Sequence, residues 1–252
     1  MNEYWHVDKK CVTVFSGGLD SATMLLDSVY QYGEENVWAL SFDYGQRHRT
    51  ELMYAINFCK KLRVQHNVVD LSSINELLGG SALTDSEVEV PEGHYEWETM
   101  KQTVVPNRNA IMANVAIGAC VSKGAEVLRL GIHAGDHAVY PDCRPAFVDA
   151  LEVLAHRACE GFIHENFIVD CPWLHVEKDV IASAYVRAIE KMGLDLTLGD
   201  TWSCYKGGEL QCGRCSTCVE RIEAIYKADV QDWDNTVYMD PDYWKEVVGW
   251  QE

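Results

Sequence analysis

The stretch CVTVFSGGLDSATMLLDSVYQYG (residues 11–33) constrains this chain more than any other. A β-branched and aromatic run reads as a strand, two glycines make a tight turn, and apolar residues at helical spacing follow up to a glycine stop. A strand passing directly into a helix predicts a parallel sheet covered by its own crossovers. The turn lies where such sheets bind ligands, beyond the carboxyl end of a strand. Gly17 and Gly18 let the backbone approach a ligand and aim successive N–H groups at it. The helix adds its positive end, Ser16 and Ser21 add hydroxyls, and Asp20 adds a carboxylate suited to Mg²⁺ or to the first helical turn. Walker A needs a lysine before its Ser or Thr, and a dinucleotide fingerprint needs a third glycine; neither is present. Alone, the turn also reads as a tight connection whose Ser and Asp cap a helix.

The pattern repeats. NVWALSFDYG and HNVVDLS read as the second and third strands, with RTELMYAINFCKKL between them as an amphipathic helix. The stretch from about 77 to 104 is polar, acidic and rich in turn formers, which predicts a lid-like insertion. NRNAIMANVAIGACVSKG predicts a helix, AEVLRLGIHAG a strand, PAFVDALEVLAHRAC a helix with Pro145 in its first turn, and NFIVDCPW a fifth strand. The helices EKDVIASAYVRAIEKMG and STCVERIEAIYKA follow. The expected fold is α/β, a doubly wound, mostly parallel five-stranded sheet. Residues 1–195 form the nucleotide-binding domain, and 196–252 a small C-terminal lobe and acidic tail.

With 21 basic and 39 acidic residues among 252, the net charge is −18. Such a chain repels polyphosphate backbones, which argues against nucleic acid and leaves small anions, held by a few local cations, as partners. No stretch is apolar enough for a membrane span, and the N-terminus lacks a signal-peptide core, so the cytoplasm is the expected location.

Four of the ten cysteines crowd into CYKGGELQCGRCSTC. Cys204, Cys212, Cys215 and Cys218 supply four thiolates through two overlapping C-x₂-C steps and a glycine-bearing loop, which suits a closed tetrahedral structural zinc site. A redox-active pair and an iron–sulfur cluster are the alternatives.

SGGLDS after a strand resembles the pyrophosphate loop of the ATP-pyrophosphatase superfamily, with its adenine nucleotide alpha hydrolase-like fold. Together with FDYGQRH (42–48), VPNRN (105–109), YPDCRPAF (140–147) and the cysteine segment, it is similar to the 7-cyano-7-deazaguanine synthase family. The resemblance implies conversion of 7-carboxy-7-deazaguanine, ammonia and ATP to the nitrile through two adenylations, with release of AMP and pyrophosphate. It implies that Ser16, Gly17, Gly18, Leu19, Asp20 and Ser21 bind ATP with Mg²⁺, and that the enzyme is a homodimer with one zinc per chain.

Adenylation needs positioning and charge neutralisation rather than a protein nucleophile. Asp20, Ser21 and Arg108 are therefore the expected catalytic set, with Arg108 facing the α-phosphate or the substrate carboxylate, or else capping a helix. Arg47 is a phosphate candidate, and His48 beside it reads equally as a hydrogen-bonded structural residue. Asp136 or Asp142 would read the guanine-like edge, Tyr140 would stack or simply pack, and Arg144 completes the substrate set. Cys143 is not required as a nucleophile. Asn107 stands where this family often has a small residue, and the tail beyond about Asp229 is expected to cover a subunit contact. The rival functions are an amide-forming relative acting on another amine, a tRNA-modifying superfamily member such as a thiolase, and a binding module without activity.

Overall fold

The computed structural model describes residues 9–78, 80–85 and 87–250, so the N-terminal segment 1–8, on which the signal-peptide expectation rests, lies outside the described residues. Five strands, β1 (Cys11–Val14), β2 (Val37–Asp43), β3 (Gln65–Asp70), β4 (Val127–Arg129) and β5 (Ile168–Asp170), form one wholly parallel sheet in the order β3-β2-β1-β4-β5. The helices are α1 (Leu19–Tyr32), α2 (Thr50–Leu62), the single turn α3 (Trp97–Met100), α4 (Arg108–Lys123), α5 (Pro145–Ala158), α6 (Lys178–Met192), α7 (Ser216–Lys227) and α8 (Tyr243–Val248).

Side-chain alternation along the central strands builds two cores. Cys11, Val37, Ala39 and Val127 face α1, α2 and α6 on one side of the sheet. Val12, Leu40 and Leu128 face α4 and α5 on the other. Both faces are covered, which is why these strands read as continuous apolar runs. The chain steps outward from β1 to β3, then returns to lay β4 against the other side of β1. The connections leave in opposite directions at that point, and a crevice opens beyond the ends of β1 and β4.

Two glycines allow the chain to close around this crevice. Gly17 has φ +98°, and a Cβ there would lie 2.6 Å from Glu51 O and 2.9 Å from Ala55 N. Its freedom serves the approach of the turn to α2. Gly131, just past β4, packs on the start of α1, where a Cβ would lie 3.1 Å from Ser21 Cα.

The insertion expected as a lid is a packed element. Ala82 N donates to Gln102 O (2.7 Å) and Arg47 N to Leu83 O (2.8 Å), while Ala82, Leu83, Val90 and Met100 are buried. Its far end lies along the cysteine segment, Gly93 N donating to Arg214 O (3.0 Å) and Ser216 N to Pro91 O (3.2 Å).

Residues 196–252 share the main core, because Leu196, Leu198 and Ile225 pack with α1, α2 and α6. The acidic tail folds back onto α7. Buried Arg221 donates to Leu198 O and to Thr201 Oγ1, both at 2.6 Å, and to Tyr238 Oη at 3.0 Å, while Trp244 packs on Val219 and Ile222.

Gly17→Ala combines a left-handed backbone with a collision against helix backbone. It is expected to destabilise the fold by at least about 1–3 kcal/mol, read as a lower urea midpoint at unchanged slope. An unchanged midpoint would show that the turn can move away from α2.

Candidate functional site

The crevice is a cavity walled by the β1 turn (Phe15, Ser16, Asp20, Ser21), the β2 end (Phe42, Tyr44), the β4 end (Leu130, Gly131, Ile132) and the first turns of α4 and α6. The insertion contributes Tyr95, and the C-terminal segment contributes Tyr205, Thr217 and Glu220.

The turn holds its own shape through its hydroxyls. Gly18 N donates to Ser16 Oγ (3.1 Å), Ser21 Oγ donates to Gly18 O (3.1 Å), and the two hydroxyls lie 3.0 Å apart. The Leu19 side chain is fully buried in the core, so it can offer a ligand only its backbone.

At the start of α1 sits a half-buried charge cluster that sequence reasoning missed. Lys178, the first residue of α6, lies 3.1 Å from Asp20 Oδ2 and 2.7 Å from Glu220 Oε2. Burial disfavours the Asp20 carboxylate, but Lys178 and His133 outweigh it and hold its pKa below the ordinary value. Burial wins at Glu220, whose pKa is raised against the same two cations, with the Asp20 charge adding to the rise. Asp20 Oδ1 is buried and has no hydrogen-bond partner. A buried carboxylate oxygen left in this way fits a divalent cation bound with a ligand phosphate. No spacing signal marks Lys178, an ordinary lysine in a helical pattern.

The opposite wall carries Arg108. Asn107 precedes it at φ +59°, a left-handed position that glycine or asparagine adopts most easily. The guanidinium lies 5.9 Å from the ring centres of both Tyr44 and Tyr140, and Nη1 donates to Tyr44 Oη at 3.4 Å. Among the described residues no carboxylate lies within ion-pair distance of it. With no carboxylate beside it, the guanidinium could meet an anion that enters the cavity.

Asp136 lines the cavity and accepts from Tyr95 Oη at 3.2 Å. Burial, and then the Asp136 charge, push the Tyr95 phenol up, so it stays a donor. Tyr140 also faces the cavity, its hydroxyl 2.7 Å from Thr103 Oγ1. Cys143 lines the cavity as a buried thiol whose pKa is raised by desolvation and then by nearby carboxylates, and Asn109 Nδ2 donates to it at 3.1 Å; it is not a poised nucleophile.

Three expected residues sit elsewhere. Arg47 turns its guanidinium into the insertion, donating to Asp85 O (2.7 Å) and Val88 O (3.0 Å), so it braces that segment instead of meeting phosphate. Asp142 accepts from Asn109 N at 2.9 Å, capping the start of α4, and does not wall the cavity. Arg144 is exposed and donates to His137 O at 2.9 Å. In each case strand-end position was legible and side-chain direction was not. The pair His48 and Glu51 does line the cavity, with His48 Nε2 3.0 Å from Glu51 Oε2.

The sulfurs of Cys204, Cys212, Cys215 and Cys218 all lie within 4.8 Å of one another, and all four residues are buried. A tetrahedral zinc with bonds of about 2.3 Å needs sulfurs about 3.8 Å apart, and Cys212 and Cys218 stand at 3.9 Å. Backbone N–H groups of Cys212, Arg214 and Cys215 donate to these sulfurs at 3.4, 3.4 and 3.2 Å, which favours thiolates. The four sulfurs converge on one point, as a metal site requires.

The protein is a parallel α/β sheet with a cavity at its switch point and, beside it, four buried cysteines that could hold a metal. The family model for queuosine biosynthesis protein QueC matches residues 10–229, and the chain belongs to that family. Similar curated proteins include a 7-cyano-7-deazaguanine synthase of Rhizobium johnstonii, 46% identical over 95% of this chain and 96% of its own length. Another, from Hahella chejuensis, is 48% identical over 90% of this chain and 92% of its own. A solved U34-tRNA thiolase from Methanococcus maripaludis, NcsA, aligns over 99% of this chain and 72% of its own at a TM-score of 0.45 and 15% identity, a likeness that carries no weight here.

Lys178→Met leaves Asp20 and Glu220 half-buried without their shared cation, at an expected cost of about 3–5 kcal/mol at neutral pH. Glu220 has a raised pKa, so its charge opposes folding above the pKa and stops doing so as pH falls through it. The loss measured in urea at pH 8 should therefore shrink at pH 5.5. A loss independent of pH would contradict the charge assignment.

Proposed function

We propose that this chain converts 7-carboxy-7-deazaguanine and ammonia to 7-cyano-7-deazaguanine, consuming one ATP at each of two activations and releasing AMP and pyrophosphate. The observation that carries the reading is Arg108, a cation without a carboxylate partner, across one cavity from the Ser16–Ser21 turn. The names of the similar curated proteins support the product.

The substrate carboxylate attacks the α-phosphate, and its charge and that of the phosphate are met by Arg108. The turn from Ser16 to Ser21 cradles the leaving pyrophosphate, with Gly17, Gly18 and Leu19 offering backbone. Lys178, already charged and half-buried, meets the phosphate chain from the α6 side. Asp20, through its unpartnered oxygen, would hold Mg²⁺, which supplies neutralisation of phosphate charge. Asp136 accepts from the donor edge of the deazaguanine ring, with the Tyr95 phenol fixing its orientation. Tyr140 and Tyr44 frame the ring and keep Arg108 in place. Ammonia then displaces AMP to give the amide, and the amide oxygen enters the same site for the second activation.

Zinc is the metal we propose for the four thiolates. It takes no part in the chemistry; by fixing the knuckle it holds the insertion that carries Tyr95 and the segment that carries Tyr205. The same resemblance supports a cytoplasmic homodimer acting on small molecules. No helix among the described residues is long and apolar enough to cross a membrane.

Incubation of the protein with ATP, Mg²⁺, ammonium and 7-carboxy-7-deazaguanine should give nitrile and AMP by mass spectrometry, and Arg108→Ala should lower product formation by about 100-fold or more. AMP with amide as the final product would move the function to conjugation, and no AMP from folded protein would overturn it. Metal analysis should find one zinc per chain, and Cys204→Ser should lose it together with several degrees of thermal midpoint. Iron with labile sulfide would overturn the zinc assignment.

A further inference from the structure

We infer that His48 accepts the protons lost when the amide is dehydrated to the nitrile, with Glu51 positioning its ring; the inference rests on the synthase reading above. His48 is 3% exposed and lines the cavity, and its Nε2 is held by Glu51 at 3.0 Å. Its Nδ1 is buried and has no hydrogen-bond partner. Buried polar atoms are almost always bonded, so an unsatisfied one on a cavity wall marks a place for a ligand atom. With the proton on Nε2 facing a carboxylate, the lone pair resides on Nδ1.

The pair stands between the two ends of the site. Glu51 reaches the phosphate turn, since a Cβ on Gly18 would lie 3.7 Å from its Oε1. The His48 ring lies 5.2 Å from that of Tyr205, which shares the cavity wall with Arg108. A substrate whose phosphate sits at the turn and whose ring sits among the tyrosines places its reacting carbon between these ends.

The other titratable groups on the wall are engaged. Asp20 and Glu220 share Lys178, and Asp136 accepts from Tyr95. His133 Nδ1 accepts from Gly135 N at 3.1 Å, which leaves that ring an N–H donor at Nε2. Burial pushes the phenols of Tyr44, Tyr95, Tyr140 and Tyr205 and the Cys143 thiol up.

The chemistry needs a base at this stage. The amide oxygen attacks the α-phosphorus and the bond to pyrophosphate breaks, leaving a protonated imidoyl adenylate. Loss of one N–H proton to His48 gives the neutral imidate, and His48 releases that proton to solvent. His48 then takes the second N–H proton; the N–H electron pair forms the third C–N bond as the C–O bond breaks, and AMP leaves with the C–O bonding pair. The first half-reaction needs no such base, since a carboxylate attacks and the ammonium proton of the adduct is acidic.

The test follows acid-to-amide and amide-to-nitrile conversion separately by mass spectrometry in the zinc-loaded full chain, for the wild type, His48→Ala with and without imidazole, and Glu51→Gln. His48→Ala should keep acid-to-amide conversion within about threefold and lose about 100-fold or more in amide-to-nitrile conversion, with imidazole restoring at least about tenfold. Glu51→Gln should slow only the second half. Unchanged nitrile formation in His48→Ala overturns the inference. So does an equal loss of both halves at unchanged zinc content and thermal midpoint, or a selective loss that imidazole does not relieve. A wild type that stops at the amide overturns the synthase reading first, and this inference with it.

Discussion

The rest of the site depends on one half-buried ammonium. Lys178 joins the first turns of α1, α6 and α7 by standing between Asp20 and Glu220. Burying one cation with two carboxylates is costly unless the geometry is good, and the direction of each carboxylate's shift shows how the strain is divided: Asp20 keeps its charge and Glu220 gives ground. The arrangement holds one Asp20 oxygen toward Lys178 and leaves the other unbonded. The phosphate end of the crevice is therefore built by residues more than 150 positions apart, brought together at the point where the sheet changes direction.

The four cysteines act at the other end through what they hold. Pro91 and Gly93 bond to the knuckle, and Val90 and Ala82 pack against its cysteines, so the insertion is fixed from the C-terminal side. Tyr95 follows two residues later and reaches Asp136. The cysteine cluster, outside the cavity lining, thus supports the insertion that brings Tyr95 to the cavity. A stretch whose composition looks like a mobile lid is ordered because its partners come from sequence more than 100 residues away.

That contrast shows what was legible in the sequence. The five strands, their order along the chain and the long helices follow from apolar periodicity and from glycine and proline signals, which are local. Ser16, Asp20, Ser21, Arg108, Asp136 and Tyr140 come to one cavity, and the cysteine quartet clusters, as residue type and position in the chain led one to expect. Arg47, Asp142 and Arg144 were misplaced for the same reason: position at a strand end brings a residue to the right edge of the sheet, but rotamer and neighbouring carbonyls decide where its charge points. Lys178 and Glu220 were missed because an isolated charge in an amphipathic helix resembles any solvated residue until the fold buries it.

The charge of the chain gains a meaning at the site. A net −18 repels polyanions at long range, yet that repulsion is screened within about 8 Å at physiological salt, so it acts on large partners more than on a ligand inside a cleft. Within the cavity the balance is local. Lys178 is matched by carboxylates and Arg108 by tyrosine rings, so Arg108 keeps its full charge for an incoming anion at no cost of breaking an ion pair. An acidic chain whose cavity holds a cation without a carboxylate partner has the charge pattern of the small-anion site we propose, and the acidic charge attracts ammonium. Both properties suit an enzyme that joins an activated carboxylate to ammonia.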